Sequence, residues 1–187
     1  MNQSDIELRI SIKEYTIAQG MKEIITTKDL LLVKPTPKSI QNLIKSKLAE
    51  LKVKERIPKI IAVKKTFKID HISPLIEYGH LDYGENKVQE ALEKWADIKN
   101  QNNKINLHLI GKLQTNKVKF AVKIFDYIHS LDSIKLAEKI SLEQKKKNFK
   151  PKIFIQINLG KENQKSGIDE NDLENFYQKC VTEYNLN

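Results

Sequence analysis

The chain has 187 residues, 40% of them apolar and 30% charged, with a formal net charge of +9. That composition suits one globular domain with enough chain to bury a core, and no run approaches the roughly 18 apolar residues of a membrane helix. The opening residues MNQSDIELRI lack the apolar stretch of a secretory signal, and the single cysteine, Cys180, excludes an internal disulfide or a cysteine-rich zinc module. These features lead to the expectation of a cytoplasmic protein with no membrane partner. The positive charge is not read as a nucleic-acid signal. Only Arg9 and Arg56 are arginine, the residue best suited to bidentate phosphate and base contacts, and the run Lys145–Lys147 fits a solvated helix end.

In chain order, Ile6, Leu8, Ile10 and Ile12 alternate with polar residues, the period of a half-buried strand, and Leu30–Val33 offers a second. Pro35 and Pro37 then break the chain, which places a boundary near residue 37. Residues 1–37 are thus expected to be an N-terminal extension, and residues 38–187 a domain of their own. From Ser39 the pattern turns helical, with Ile40, Leu43, Ile44, Leu48 and Leu51 in one stripe.

Short apolar strands then alternate with amphipathic helices. The expected strands are Lys59–Lys64, His80–Tyr83, Ile105–Ile110, Phe125–Ser130 and Pro151–Asn158. The helix after Asn86 directs Val88, Ala91, Leu92 and Trp95 inward, and the helix after Ser133 does so with Ile134, Leu136, Ala137 and Ile140. The last helix, capped by Asp169, carries Leu173, Phe176, Tyr177, Cys180, Val181 and Tyr184 at helical spacing, so Cys180 reads as core. Strand followed by helix, five times, predicts an α/β fold with parallel strands and right-handed crossovers. Each strand also has an oily face and a partly polar one: Leu107 and Leu109 oppose Asn106, His108 and Ile110, and Ile153, Ile155 and Ile157 oppose Phe154, Gln156 and Asn158. That division favours a (β/α)₈ barrel of the TIM type over an open doubly wound sheet, whose strands are oily on both faces.

Lys65 directly follows the strand Ile60–Val63 and shares a face with Ile61 and Val63. At the mouth of a barrel its amine could attack an aldehyde if its pKa were lowered. Neighbouring Lys64 would help, since two cations about 7 Å apart repel by roughly 0.6–2.4 kcal/mol. Spacing alone favours a solvated strand-end lysine. His108 sits within a strand on its polar face, and no metal-ligand spacing links His71, His80, His108 and His129. Glu85 and Asn86 lie at the same strand end as Lys65. Gly111, Gln114 and Asn116 open a helix whose free amides could hold an anion.

Together these segments resemble the pyridoxal 5′-phosphate (PLP) homeostasis family, also called the proline synthetase co-transcribed family, which shares the barrel of the alanine racemase N-terminal domain. The stretches that carry the resemblance are Ala62–Thr66, Tyr83–Glu90, Leu107–Val118, Phe125–Asp132 and Ile155–Asn158, in family order across residues 38–187. The resemblance implies that Lys65 holds PLP as a Schiff base and that Asn86, His108, Gly111 and Asn158 line the cofactor pocket. It further implies a PLP carrier rather than a catalyst, with PLP-dependent apoenzymes as partners and a monomer or weak dimer as its state. Alternatives are a PLP-dependent amino-acid racemase-like enzyme and a degenerate remnant without cofactor.

Three departures stand out. Lys64 occupies a position where the family usually has serine, and residues 1–37 have no counterpart. The chain also covers about five of the eight βα units, without the later segments that hold the PLP phosphate. A truncated product, a split gene or a fragment is expected on that ground, with weak PLP binding.

Overall fold

The computed structural model describes residues 72–160, apart from the side chain of Pro74, and residues 166–186, with residues 60–63, the backbone of residues 7–10, and helical positions 38, 42, 45, 46, 49 and 50. Lys64, Lys65, the expected strand Leu30–Val33 and the apolar stripe from Ile40 to Leu51 lie outside the described residues. So does the extension up to residue 37, except for Glu7–Ile10. The chain divides into two compact units, residues 8–62, and residues 63–187 together with 1–7.

The smaller unit holds most of strand β1 (Glu7–Ile10), which falls within the alternating segment, and most of β2 (Ile60–Val63); Glu7 and Val63 are counted with the larger unit. All four side chains of β2 are buried. Helical positions Lys38, Asn42, Lys45, Ser46, Ala49 and Glu50 are exposed.

The larger unit alternates strand and helix. Its elements are α1 (Ser73–Glu77), β3 (Asp82–Glu85), α2 (Val88–Gln101), β4 (Asn106–Leu109), α3 (Val118–Ile124), β5 (Tyr127–Leu131), α4 (Ile134–Lys147), β6 (Lys152–Ile155) and α5 (Leu173–Thr182). Strands β3 to β6 pair in parallel and in consecutive order. Consecutive parallel strands with a helix after each are how a barrel wall is built; a doubly wound sheet reverses its order midway. The chain is therefore α/β, as the alternation predicts.

Register assigns the faces. Asp82 stands opposite Asn106, Gly84 opposite His108, His108 opposite Tyr127, and Tyr127 opposite Lys152. These residues share the inner face. Leu107, Leu109 and Ile128 point outward and are fully buried with Leu136 and Ile140 of α4, and with Val118, Ala121 and Val122 of α3. The register slips between Ile128 and Leu131, so β5 carries one extra residue against β6 at His129–Ser130.

Helix ends follow local chemistry. Helix α4 closes at Asn148 in the left-handed region (φ 49°), which asparagine tolerates, and Lys145–Lys147 in its last turn complement the negative helix end. Asp169 caps the 3₁₀ turn before α5 by accepting from the Asn171 amide at 2.9 Å.

Helical spacing overstates the core at three positions. Ile134 opens α4 at 36% exposure, and on α5 only Phe176 and Cys180 are buried while Tyr177 and Val181 face outward. A buried stripe on a surface helix is narrower than its apolar content. The burial of Cys180 holds, and it pushes the thiol up to about 11, which leaves it protonated and unreactive.

Glu85 lies on the outer face. It is 4% exposed and accepts from Lys94 Nζ at 2.7 Å and from the Trp95 indole N–H at 2.8 Å. It closes β3 beside Asn86, as expected, but its side chain fills the seam between β3 and α2. Removing one partner of a buried pair leaves the others unsatisfied. We expect Glu85→Ala to lower unfolding stability by about 3 kcal/mol in urea denaturation, and a loss under about 1 kcal/mol would contradict the seam's role.

Candidate functional site

The polar inner face concentrates on three neighbouring strands. Asp82 Oδ1 of β3 faces His108 Nε2 of β4 at 3.1 Å and accepts from Asn106 Nδ2 at 3.1 Å. A carboxylate only accepts, so Nε2 of His108 carries a proton. The other ring nitrogen of His108 lies 3.0 Å from Nε2 of His129 on β5, and one of the two donates. Flat rings close the cluster: His108 stacks on Tyr127 with centroids 4.2 Å apart, and His129 stacks on Phe154 of β6 at 4.4 Å. One chain of contacts thus ties β3, β4, β5 and β6 together.

Burial sets the charge of this wall. His129 is pushed down to about 4, first because burial disfavours the imidazolium and then because His108 stands beside it. His80 is lowered as well, again mainly by burial, against the opposing pull of Asp82.

Above the wall, the residues that follow the strands form a rim. Asn86 follows β3 and Gly111 follows β4, and the two backbones touch: a Cβ at Gly111 would collide with the Asn86 carbonyl. The Ile110 amide donating to the Glu85 carbonyl at 3.0 Å holds this approach. Only glycine fits there. After β6, Asn158 donates its amide to the Ile168 carbonyl at 2.9 Å, and Gly167, at φ +140°, packs on Asn158. Lys112 Nζ donates to Ser166 Oγ at 2.8 Å, so the segment after β6 is fastened to the segment after β4.

Of the five expected site residues, Asn86 and Gly111 are brought together, Asn158 stands at the end of β6, and His108 lies in the inner wall beneath. Lys65 is outside the described residues. Sequence reasoning missed Asp82, His129 and Tyr127 as partners of His108, and Phe154 as the ring that stacks on His129. The available signal was their shared parity with Asn106 and His108 on successive strands. Glu85, singled out beside Asn86, faces the helix layer instead. Among the described residues no cluster of three metal-ligating side chains occurs.

The lowered histidines give stability a definite pH dependence. Unfolded histidine titrates near about 6.5, so between there and about 4 the unfolded chain binds the proton that folded His129 refuses. Stability is then present above pH 6.5 and lost as pH falls toward 4. We expect the thermal midpoint of the native chain to drop more steeply between pH 7 and 5 than that of His129→Gln; parallel curves would contradict the buried neutral imidazole.

No family model matches the chain. Over 135 residues it is 36% identical to the pyridoxal phosphate homeostasis protein of Pasteurella multocida, a match covering 72% of this chain and 58% of that protein. The protein of the same name from Buchnera aphidicola is 38% identical over 130 residues, covering 67% and 56%. Among solved structures it is similar to PipY of Synechococcus elongatus, determined both without and with PLP bound, with a TM-score of 0.61 and 34% identity over 74% of this chain and 64% of that one. The chain spans between half and three fifths of the length of these curated relatives. Agreement of sequence, strand order and fold leads to one conclusion: the matched part of this chain belongs to the pyridoxal phosphate homeostasis protein family.

Proposed function

We propose that the chain binds PLP and takes part in its intracellular homeostasis as a carrier, with the ε-amine of Lys65 holding the cofactor reversibly. The observation that carries the reading is the meeting of Asn86 with Gly111 at the ends of neighbouring parallel strands, above an inner wall of stacked rings. The rim suits such a ligand, because Asn86 and Asn158 supply carboxamides, Lys112 supplies an ammonium group, and the wall supplies flat aromatic faces.

When bound, PLP supplies an aldehyde that a neutral amine can hold and release. Lys65 follows β2 by two residues, and its amine must shed a proton to act. Lys64 beside it favours that loss by charge repulsion. Gly111 allows the close backbone approach that sets Asn86 in place, and the Asp82–His108–His129 chain keeps the strands below in register. Carriage in the cytoplasm, with PLP-dependent apoenzymes as recipients and a monomer or weak dimer as the working state, completes the proposal. Residues 38–187 carry this role, with residues 1–37 as an extension.

Incubation with PLP, borohydride reduction and peptide mass spectrometry test the reading. The expected outcome is a reduced adduct concentrated on Lys65 and absent from Lys65→Ala. Labelling spread evenly over the surface lysines, with Lys65 no more modified than the rest, would overturn it.

A further inference from the structure

On the outer side of the rim, a cleft of about 320 Å³ opens between the start of α2 and the turn Gln114–Lys117. Its lining includes Asn86, Lys87, Gln89, Lys112, Gln114 and Lys117 and, among the described residues, no carboxylate. Three lysines therefore line one concavity from two separate loops, with three carboxamide residues among them.

The local charge balance favours an anion. Lys87, itself exposed, is partly offset by Glu90 at 2.7 Å. Lys112 is fastened to a neutral hydroxyl, Ser166 Oγ, so its charge is left uncompensated by that bond. Lys117 closes the opposite wall at the end of the 3₁₀ turn. The cleft is also shaped rather than loose. Contact between Gly111 and Asn86 sets the spacing of the two loops, and buried Val88 forms its apolar floor. Helix α2 begins here with no side-chain cap at Lys87, so the positive end of a 14-residue helix adds to the same field.

We propose that this cleft binds the dianionic phosphate of a small phosphate monoester. The phosphate comes either from a separate ester or from the cofactor's own phosphate group. The inference is independent of the Lys65 chemistry and is read without any aldehyde present.

The test is a titration of the ¹⁵N-labelled full chain with inorganic phosphate at constant ionic strength, following the amides of Gln89, Lys112 and Lys117. Saturable shifts are expected, with binding weakened about two- to fivefold by each of Lys112→Gln and Lys117→Gln, the effect of one solvent-exposed charge pair. Equal shifts from chloride at matched ionic strength, or unchanged affinity in the double variant, would overturn the site. Pyridoxamine 5′-phosphate, which carries the phosphate but no aldehyde, separates the two sources. Displacement of inorganic phosphate at much lower concentration assigns the cleft to the cofactor's own phosphate, and competition no better than inorganic phosphate itself assigns it to a separate ester.

Discussion

The hydrogen-bonded chain from Asp82 through His108 to His129 is the contact on which the described architecture turns. Each member comes from a different strand, so the chain forms only when β3, β4 and β5 hold one register. A slip of one residue would carry every member to the opposite face and leave buried polar groups without partners. Apolar packing on the outer face tolerates approximate fits, whereas this contact does not. It makes the wall specific, and the rim above inherits that precision.

The two faces answer opposite demands. Outside, Leu107, Leu109 and Ile128 meet α3 and α4, and the buried charge of Glu85 is met by both Lys94 and Trp95. Asp126 plays a similar part at the start of β5, accepting from the Leu107 amide at 2.7 Å and pairing with Lys99 of α2. Strands and helices are thus joined by polar bonds as well as by burial. Inside, the rings of His108, Tyr127, His129 and Phe154 replace oily packing with flat surfaces and hydrogen-bonding edges. An oily outer face and a ringed inner face on the same strands are what distinguish a wall around a lumen from a sheet between two helix layers.

Much of this was legible in the sequence, because alternation and helical spacing are local. Strand parity separated Leu107 and Leu109 from Asn106 and His108 correctly, and it put Cys180 in the core. The strand expected at His80–Tyr83 is instead Asp82–Glu85, two residues later, since the His80 amide donates to the Leu75 carbonyl at 3.0 Å and so belongs to the turn that precedes the strand. That shift hides both the inward role of Asp82 and the outward role of Glu85. Partners across strands depend on register, which single-strand periodicity does not contain, so His108 looked solitary although it has three close neighbours. Ile134 is expected inward, and Tyr177 and Val181 share the spacing of Cys180, yet all three are exposed, because spacing reports which residues share a stripe, not how wide the covering layer is.

The imidazole ring of His129 offers the most direct test of the wall, through its ¹⁵N chemical shifts recorded from pH 8 to pH 4. The structure predicts a ring that stays neutral until close to the bottom of that range, with Nε2 engaged by His108. A ring that titrates near about 6.5, as a solvated histidine does, would mean that the three strands are not joined as described.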